Sequence, residues 1–292
     1  MNRREFVSLL GRAAPAVAVT AALGGGYAVG VEPEWLEVRR VRIPVKGLDP
    51  ALEGLRLVQL SDIHRSAWVA REFIERAVKT AVELRPELVL LTGDYITKDA
   101  TAFEPLGREI AALGAAAPLF ATMGNHDYIH YYAWEKPALP RGAEFVAAMA
   151  AAAGGELLRN ETRRVAVRSG AGAVDLVALD DFWAPTFDAK LPFGAGRTAG
   201  VPRIVLSHNP DSFRQVRGAS FDLMLAGHTH GGQVRVPLIG PPLSPVEDRR
   251  FIAGLVAADG RLVYVNRGLG FNRRVRFGVR PEITLLELTR AA

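Results

Sequence analysis

Five short polar segments built from His, Asp and Asn recur along this chain, each directly after an apolar run. They hold five of the six histidines, and only His130 lies outside them. The segments are Ser61-Asp62-Ile63-His64, Gly93-Asp94, Gly124-Asn125-His126-Asp127, Ser207-His208-Asn209-Pro210 and Gly227-His228-Thr229-His230. The apolar run before each segment predicts a buried strand. Because open α/β sheets build their sites at the carboxyl ends of strands, we expect these side chains to converge there around metal.

Strands and helices are predicted along most of the chain. Apolar residues at helical spacing predict a helix over 71–84, and an Ala-rich segment predicts another over 143–153 that ends at Gly154-Gly155. The predicted strands are 55–60, 88–91, 118–123, 165–167, 174–179, 203–206, 223–226, 261–265 and 283–288. No Pro/Ser-rich linker interrupts them, so we predict one catalytic domain over 34–292.

The composition narrows the metal chemistry and the partners. There is no cysteine, which excludes disulfides and thiolate ligands and leaves His, Asp, Glu and Asn. Mixed nitrogen and oxygen ligation suits Mn, Fe, Zn, Co or Ni without choosing among them.

The formal net charge is +5. The basic clusters are Arg3 and Arg4, then Arg39, Arg40 and Arg42, and finally Arg267, Arg273, Arg274, Arg276 and Arg280. They predict either a solvated face or attraction to an anionic substrate or phospholipid surface. Few aromatic residues lie among them, and we do not expect nucleic acid as a partner.

Residues 1–33 are typical of an export signal. Arg3-Arg4-Glu5-Phe6 precedes the uncharged segment 13–31, which is rich in Ala, Gly and Val. This pattern resembles a twin-arginine (Tat) signal, whose machinery would then be a partner. Cleavage near Ala16-Val17-Ala18 and retention as a membrane anchor both stay open, as does a plain N-terminal helix. We expect a protein that is periplasmic, extracytoplasmic or membrane-anchored.

The order of the five segments resembles the calcineurin-like metallophosphoesterase superfamily over residues 55–233. Three flanking segments resemble its YkuE/YaeI-like exported or membrane-associated branch. They are Glu32-Pro33-Glu34-Trp35, Gly231-Gly232-Gln233 and Asn266-Arg267-Gly268-Leu269-Gly270. The resemblance implies an α/β fold, a four-layer α/β/β/α sandwich of two mixed sheets flanked by helices. It places a dinuclear metal site at the carboxyl ends of the strands.

The resemblance also implies a role for each polar residue. The first metal would be held by Asp62, His64 and His230, the second by Asn125, His208 and His228, and Asp94 would bridge both. A shared carboxylate and a shared hydroxide between two divalent ions reduce their repulsion, and such a hydroxide attacks phosphorus directly. His126 would act as general acid. Asp127 would orient its ring, and a role as a loop or helix cap is the alternative.

The functional expectation is phosphodiester or pyrophosphate hydrolysis on an envelope or lipid-linked substrate, by a chain that we expect to be monomeric. Alternatives are a lipid A enzyme that resembles UDP-2,3-diacylglucosamine pyrophosphatases, a non-catalytic metal-binding scaffold, and a nuclease. Three weaker features remain open. A substrate wall or a surface loop is formed by His130 with Tyr128, Tyr131, Tyr132 and Trp134. The pair Asp180-Asp181 belongs to a loop or lies behind the metal ligands. A phosphate or a lipid surface is contacted by Arg267 and Arg273.

Overall fold

Two six-stranded mixed sheets lie face to face at the centre of the computed structural model, which describes residues 24–291 except 131, 133, 195, 243 and 272. The twin-arginine motif, the small residues at 16–18 and Tyr131 therefore lie outside the described residues. The first sheet contains β1 (Glu37–Val45), β2 (Leu55–Leu60), β3 (Leu88–Thr92), β4 (Leu119–Thr122), β5 (Glu156–Leu157) and β12 (Glu282–Arg290). The order of these strands across the sheet is β1-β12-β2-β3-β4-β5. The second sheet contains β6 (Glu161–Val167), β7 (Gly172–Ala178), β8 (Arg203–Leu206), β9 (Leu223–Ala226), β10 (Gly254–Ala258) and β11 (Arg261–Val265). Its strand order is β10-β11-β9-β8-β7-β6.

Parallel pairing dominates the middle of both sheets. Strands β2 to β5 pair in parallel, as do β7, β8, β9 and β11. Strand β12 is antiparallel to β2 and parallel to β1, while β6 and β10 are antiparallel edges of the second sheet. The carboxyl ends of the parallel strands therefore lie along one edge of each sheet.

Helices cover the outer faces of the sheets. They are α1 (Arg71–Glu83), α2 (Phe103–Glu109), α3 (Ala111–Ala116), α4 (Gly142–Ala152) and α5 (Phe213–Val216). The predicted helix over 143–153 is α4, and Gly154 follows it with a φ of 75°, a left-handed position that ends the helix. No described helix is both long enough and apolar enough to cross a membrane.

Alternating side chains build three apolar clusters. Val58 of β2 faces α1 to α4, whereas its neighbour Leu57 faces the second sheet. In β8, Ile204 faces the first sheet and Val205 packs on α5. This arrangement confirms the predicted four layers, helices, sheet, sheet and helix.

The described part of the predicted leader packs on the domain. Residues 24–30 are helical, and a 3-10 turn covers Glu32–Glu34. The buried Glu32 carboxylate accepts hydrogen bonds from the backbone N–H groups of Gly278 and Val279. The backbone N–H of Arg276 donates to the Ala28 carbonyl at 2.8 Å. These bonds join the end of the leader to the C-terminal part of the domain.

Candidate metal centre

All seven predicted metal ligands lie in loops that directly follow strands. Asp62 and His64 follow β2, Asp94 follows β3, and Asn125 follows β4. The second sheet contributes the loops after β8 and β9. Five of these residues have a positive φ, namely Asp62, His64, Asp94, His228 and His230. Such a backbone is disfavoured for non-glycine residues, and its clustering here is typical of a functional site.

A first group of ligand atoms comes from Asp62, His64 and His230. The Nε2 atoms of His64 and His230 lie 3.1 Å apart, and Asp62 Oδ1 lies 3.4 Å from His230 Nε2. All three side chains are buried, and their ligand atoms lie within 4.8 Å of one another. The backbone N–H of His228 donates to both oxygens of Asp62, which fixes the carboxylate.

A second group comes from Asn125, His208 and His228. His228 Nδ1 lies 3.0 Å from Asn125 Oδ1 and 3.3 Å from His208 Nε2. His208 Nδ1 donates to the Thr92 carbonyl at 2.7 Å, which directs Nε2 into the site. The Asn125 amide nitrogen donates to the His130 carbonyl, so its oxygen is the atom that faces His228.

Asp94 lies between the two groups. Its Oδ2 is 3.0 Å from His208 Nε2 and 3.5 Å from His64 Nε2, so one oxygen lies beside both ligand sets. Its Oδ1 accepts a hydrogen bond from the His126 backbone N–H at 2.9 Å. This is the geometry of a carboxylate that could serve two cations together.

The electrostatics favour uncharged imidazoles at three positions. Burial lowers the pKa of His64 and His228 well below the usual range, and burial together with the Arg276 guanidinium lowers the pKa of His230 to about 3. Neutral imidazole is the form that binds metal. His208 differs: burial alone would lower its pKa, but the carboxylates of Asp94, Asp62 and Asp181 together outweigh burial and raise the pKa to about 10. Burial raises the pKa of Asp62 to about 6.

This donor set fits divalent metal. Imidazole nitrogens, two carboxylates and one amide oxygen, with no sulfur, suit the borderline first-row metals. The Nε2 atoms of His64 and His230 face each other at 3.1 Å, which lets the two rings direct both nitrogens at one cation. A ring nitrogen of His126 also lies within 4.8 Å of ligand atoms of His64 and Asp94, so this ring borders the site directly.

One hydrogen bond fixes the tautomer of His126. Its Nδ1 lies 3.1 Å from the Thr97 carbonyl oxygen, which can only accept, so Nδ1 carries hydrogen and any proton exchange by this ring would take place at Nε2. The same Thr97 residue contacts His64 through its hydroxyl, 3.4 Å from Nδ1. Thr97 was not predicted from the sequence, because no motif marks it.

Asp127 caps the loops that carry the ligands. Its two carboxylate oxygens accept from the backbone N–H groups of Asp94, Tyr95 and Gly124, at 3.0, 2.8 and 2.8 Å. These bonds join the loop after β3 to the loop after β4. Of the two roles that the sequence left open for Asp127, the loop cap is the one these contacts describe.

A segment outside the five motifs supports the first ligand group. The backbone N–H groups of Leu269 and Gly270 donate to the carbonyls of Ser61 and Asp62. The fully buried Arg276 guanidinium donates to the carbonyls of Arg267, Gly268, Gly270 and Val279. Because it satisfies these carbonyls, it fixes the shape of the segment that donates to the Asp62 loop.

The candidate metal centre borders a cavity of about 640 Å³. Asp94, Asn125, His126, His228 and His230 line it. The rest of its lining is mainly apolar or aromatic and includes Tyr132, Trp183, Val234, Pro242, Pro245 and Val275, with Arg273 as the cation.

The three features left open by the sequence separate into different environments. His130 and Tyr128 are buried, whereas Tyr132 and Trp134 are exposed and stack on each other. Asp180 accepts from Tyr128 and Arg159, so it belongs to a buried loop network.

Asp181 accepts from the Trp183 backbone N–H and thereby positions a ring that contacts His228. Burial raises the pKa of the Asp181 carboxyl to about 7. Arg267 is paired with Glu37 and Glu282, whereas Arg273 is exposed and lines the cavity.

Comparisons with known proteins agree with this geometry. A family model described as calcineurin-like phosphoesterase matches residues 55–232. The chain is 36% identical to "Phosphodiesterase YaeI" of Escherichia coli over 289 residues, 99% of each chain. It is 31% identical to "Uncharacterized metallophosphoesterase YkuE" of Bacillus subtilis, covering 99% of this chain and 98% of that protein. It is 29% identical to "UDP-2,3-diacylglucosamine pyrophosphatase LpxG" of Chlamydia trachomatis, covering 89% and 91%.

Proposed function

This chain belongs to the calcineurin-like phosphoesterase family, and we propose that it hydrolyses phosphodiester or pyrophosphate bonds with two divalent metal ions. The family makes it a hydrolase of phosphoester bonds. The proposal adds the number of metals, the roles of the ligands and the class of substrate.

One observation carries the dinuclear proposal, namely the position of Asp94 Oδ2 beside both ligand groups. Asp62, His64 and His230 would hold one metal, and Asn125, His208 and His228 the other. Asn125 contributes a neutral oxygen, which keeps the negative charge at the two carboxylates Asp62 and Asp94. Two such cations, when bound, lower the pKa of a water between them and neutralise charge on the phosphoryl oxygens.

The protein's own residues would supply the remaining steps. His126 Nε2 would donate a proton to the leaving oxygen, since its Nδ1 is committed to the Thr97 carbonyl. Asp127 would act on His126 through the loop that carries it, because its carboxylate holds the backbone N–H of Gly124. The cavity walls would exclude bulk water from one side of the substrate.

A lipid-linked substrate of the cell envelope is supported by the cavity. Its walls combine apolar and aromatic side chains with the cation of Arg273, which suits a molecule that has both an apolar part and a phosphate. The predicted signal or anchor in residues 1–33, ahead of the catalytic domain at 34–292, would place the enzyme outside the cytoplasm or on the membrane.

A second candidate is cleavage of a nucleotide-linked glycolipid pyrophosphate. The similarity to LpxG over 89% of the chain favours it. A Tat-exported enzyme would not meet a substrate on the cytoplasmic face, whereas a chain that its N-terminal segment only anchors would. The non-catalytic alternative predicts loss of Asp94 or His126, and both are present.

Hydrolysis of bis-p-nitrophenyl phosphate with added Mn²⁺ tests the proposal. We expect turnover that Asp94→Asn abolishes. Asp259→Asn is the matched control, because Asp259 is exposed and its left-handed backbone, with a φ of 48°, tolerates Asn. A panel of envelope lipids, nucleotide diphosphate sugars and simple diesters then separates the two substrate classes. Correctly folded, metal-loaded protein with no activity on any of them would disprove the enzymatic role.

A further inference from the structure

We propose that the face around the mouth of the active-site cavity docks on a lipid bilayer that contains anionic phospholipids. We call it the mouth face and define it by Tyr132, Trp134, Arg235, Leu238, Ile239, Arg249 and Arg273. It is a surface distinct from the metal ligands, and its docking can be measured without measuring hydrolysis.

The first support is an apolar turn that projects from the rim of the cavity. Val234 and Pro242 line the cavity, and between them Val236 and Gly240 pair in an antiparallel bridge. Leu238 and Ile239 form the tip of this turn; Leu238 is fully exposed and Ile239 is 73% exposed. The free energy falls when a large aliphatic side chain is removed from water. Two adjacent exposed aliphatic side chains at the tip of a turn therefore indicate a surface that a partner covers.

An aromatic pair forms a second part of the rim. The rings of Tyr132 and Trp134 stack with centroids 4.7 Å apart. Tyr132 lines the cavity, and Trp134 is 80% exposed. Exposed Trp and Tyr beside aliphatic residues are typical of surfaces that lie at the level of lipid headgroups.

This face carries three arginines that have no carboxylate partner in the described part of the chain, beside one carboxylate, Glu135, which accepts from the Tyr132 backbone N–H. Arg235, Arg249 and Arg273 are exposed, and none of their guanidinium groups lies within 4.0 Å of a carboxylate among the described residues. Arg249 donates to the Pro241 carbonyl, which keeps its charge at the base of the apolar turn. Apolar side chains beside unpaired cations complement an anionic bilayer, which offers both acyl chains and negative headgroups.

The N-terminal segment enters the domain beside this face. Val234 of the rim forms a parallel bridge with Phe277. The Phe277 ring packs edge-on against the Tyr27 ring, with their centroids 6.3 Å apart. Tyr27 belongs to the helical residues 24–30, and the segment 13–31 contains no charged residue. An apolar segment that leaves the domain here could reach the same bilayer that the mouth face contacts.

The same charges disfavour a second copy of the chain as the occupant. A symmetric dimer would bring the mouth face against itself, because a two-fold interface uses the same patch on both subunits. Arg235, Arg249 and Arg273 would then share one interface with the same three cations of the second copy, which repel them. An anionic bilayer has no such conflict.

Single cysteines can report the docking directly, because the chain has no native cysteine. Ile239→Cys and the matched control Leu191→Cys in the full chain would each carry a polarity-sensitive fluorophore. Leu191 is also an exposed aliphatic residue, but its 3-10 turn packs on the outer strands β6 and β7 of the second sheet. On vesicles of phosphatidylcholine and phosphatidylglycerol, we expect the probe at 239 to shift to shorter wavelength and to be quenched by nitroxide lipids. The probe at 191 should keep its spectrum in water.

Two results would overturn the proposal. One is a protein that sediments with the vesicles while the probe at 239 stays in water, since the N-terminal segment would then bind alone. The other is a shift at 239 that needs no vesicles and grows with protein concentration, which would indicate contact between copies.

A charge variant tests the electrostatic part. Arg235→Ala should weaken binding to the anionic vesicles about fivefold at low salt. Arg42→Ala is the matched control, because Arg42 is exposed on β1 and also has no carboxylate within 4.0 Å among the described residues. Equal binding by both variants would contradict the role of the mouth face. Hydrolysis of bis-p-nitrophenyl phosphate in the absence of lipid tests the proposed function separately, so either idea can fail alone.

Discussion

Replacing Gly227 by alanine tests how closely the backbone must approach Asp62. A Cβ at Gly227 would lie 1.9 Å from Ser61 Oγ and 2.3 Å from Asp62 Oδ2, whereas ordinary contact begins at 3.4 Å. The hydroxyl must therefore move by about 1.5 Å and the carboxylate by about 1.1 Å. Overpacking of this kind reduces the free energy of unfolding by about 1–3 kcal/mol. A displacement of about 1 Å at a catalytic group lowers turnover about 100-fold.

The measurements are urea unfolding, metal content and hydrolysis of bis-p-nitrophenyl phosphate. Ser61→Ala/Gly227→Ala removes the contact with Oγ but keeps the contacts with Asp62 and with the Cβ of residue 61 at 2.9 Å, so stability should partly recover while activity stays low. Gly218→Ala is the control, because its Cβ would meet nothing within 4 Å and its φ is not positive. A Gly227→Ala protein that binds metal and turns over like the wild type would refute the reasoning.

Three further predictions concern protons and the loop cap. His126→Ala should keep its metals, measured by mass spectrometry, and lose about 10²–10⁴-fold in turnover; loss of metal would contradict its role as proton donor. Asp127→Asn should reduce the free energy of unfolding in urea by about 1–3 kcal/mol, since an amide cannot accept from all three backbone N–H groups as the carboxylate does. Unchanged stability would show that these bonds contribute nothing. Metal uptake at pH 8 should release a proton from His208, whose pKa is about 10 without metal, and affinity should fall as pH decreases through about 6, where Asp62 becomes protonated. Calorimetry in two buffers measures the release, and uptake without proton release would disprove this assignment.

The sequence predicts the ligand loops well because local patterns encode them. Runs such as Leu88–Thr92 are apolar almost throughout, as buried parallel strands are, and a polar residue directly after such a run must lie at the sheet edge. The strand before Asp62 and the strand before His228 belong to different sheets, and the order of the motifs alone did not show which loops meet. The resemblance to a known family supplied that information.

Pairing between distant parts of the chain could not be predicted. Strand β1 carries three arginines at 39, 40 and 42 and pairs with β12, more than 200 residues later, so its pattern is that of an exposed edge. Several short elements, β5, β10, α2, α3 and α5, were also not predicted, because their apolar patterns extend over too few residues.

The basic C-terminal segment was only partly interpreted. A solvated face was one expectation, yet Arg276 is fully buried and Arg280 lies over the Trp35 ring. The sequence alone does not distinguish an arginine that donates to buried carbonyls from an arginine on the surface. Its partners are backbone atoms, which no motif records.

The EPR spectrum of the Mn²⁺-loaded protein tests the central claim most directly. Asp94 Oδ2 lies beside both ligand groups, so two bound ions would share one carboxylate. We expect two Mn²⁺ per chain and the spectrum of an exchange-coupled pair, which Asp94→Ala removes. One ion per chain, or two ions with independent spectra, would contradict a dinuclear centre bridged by Asp94.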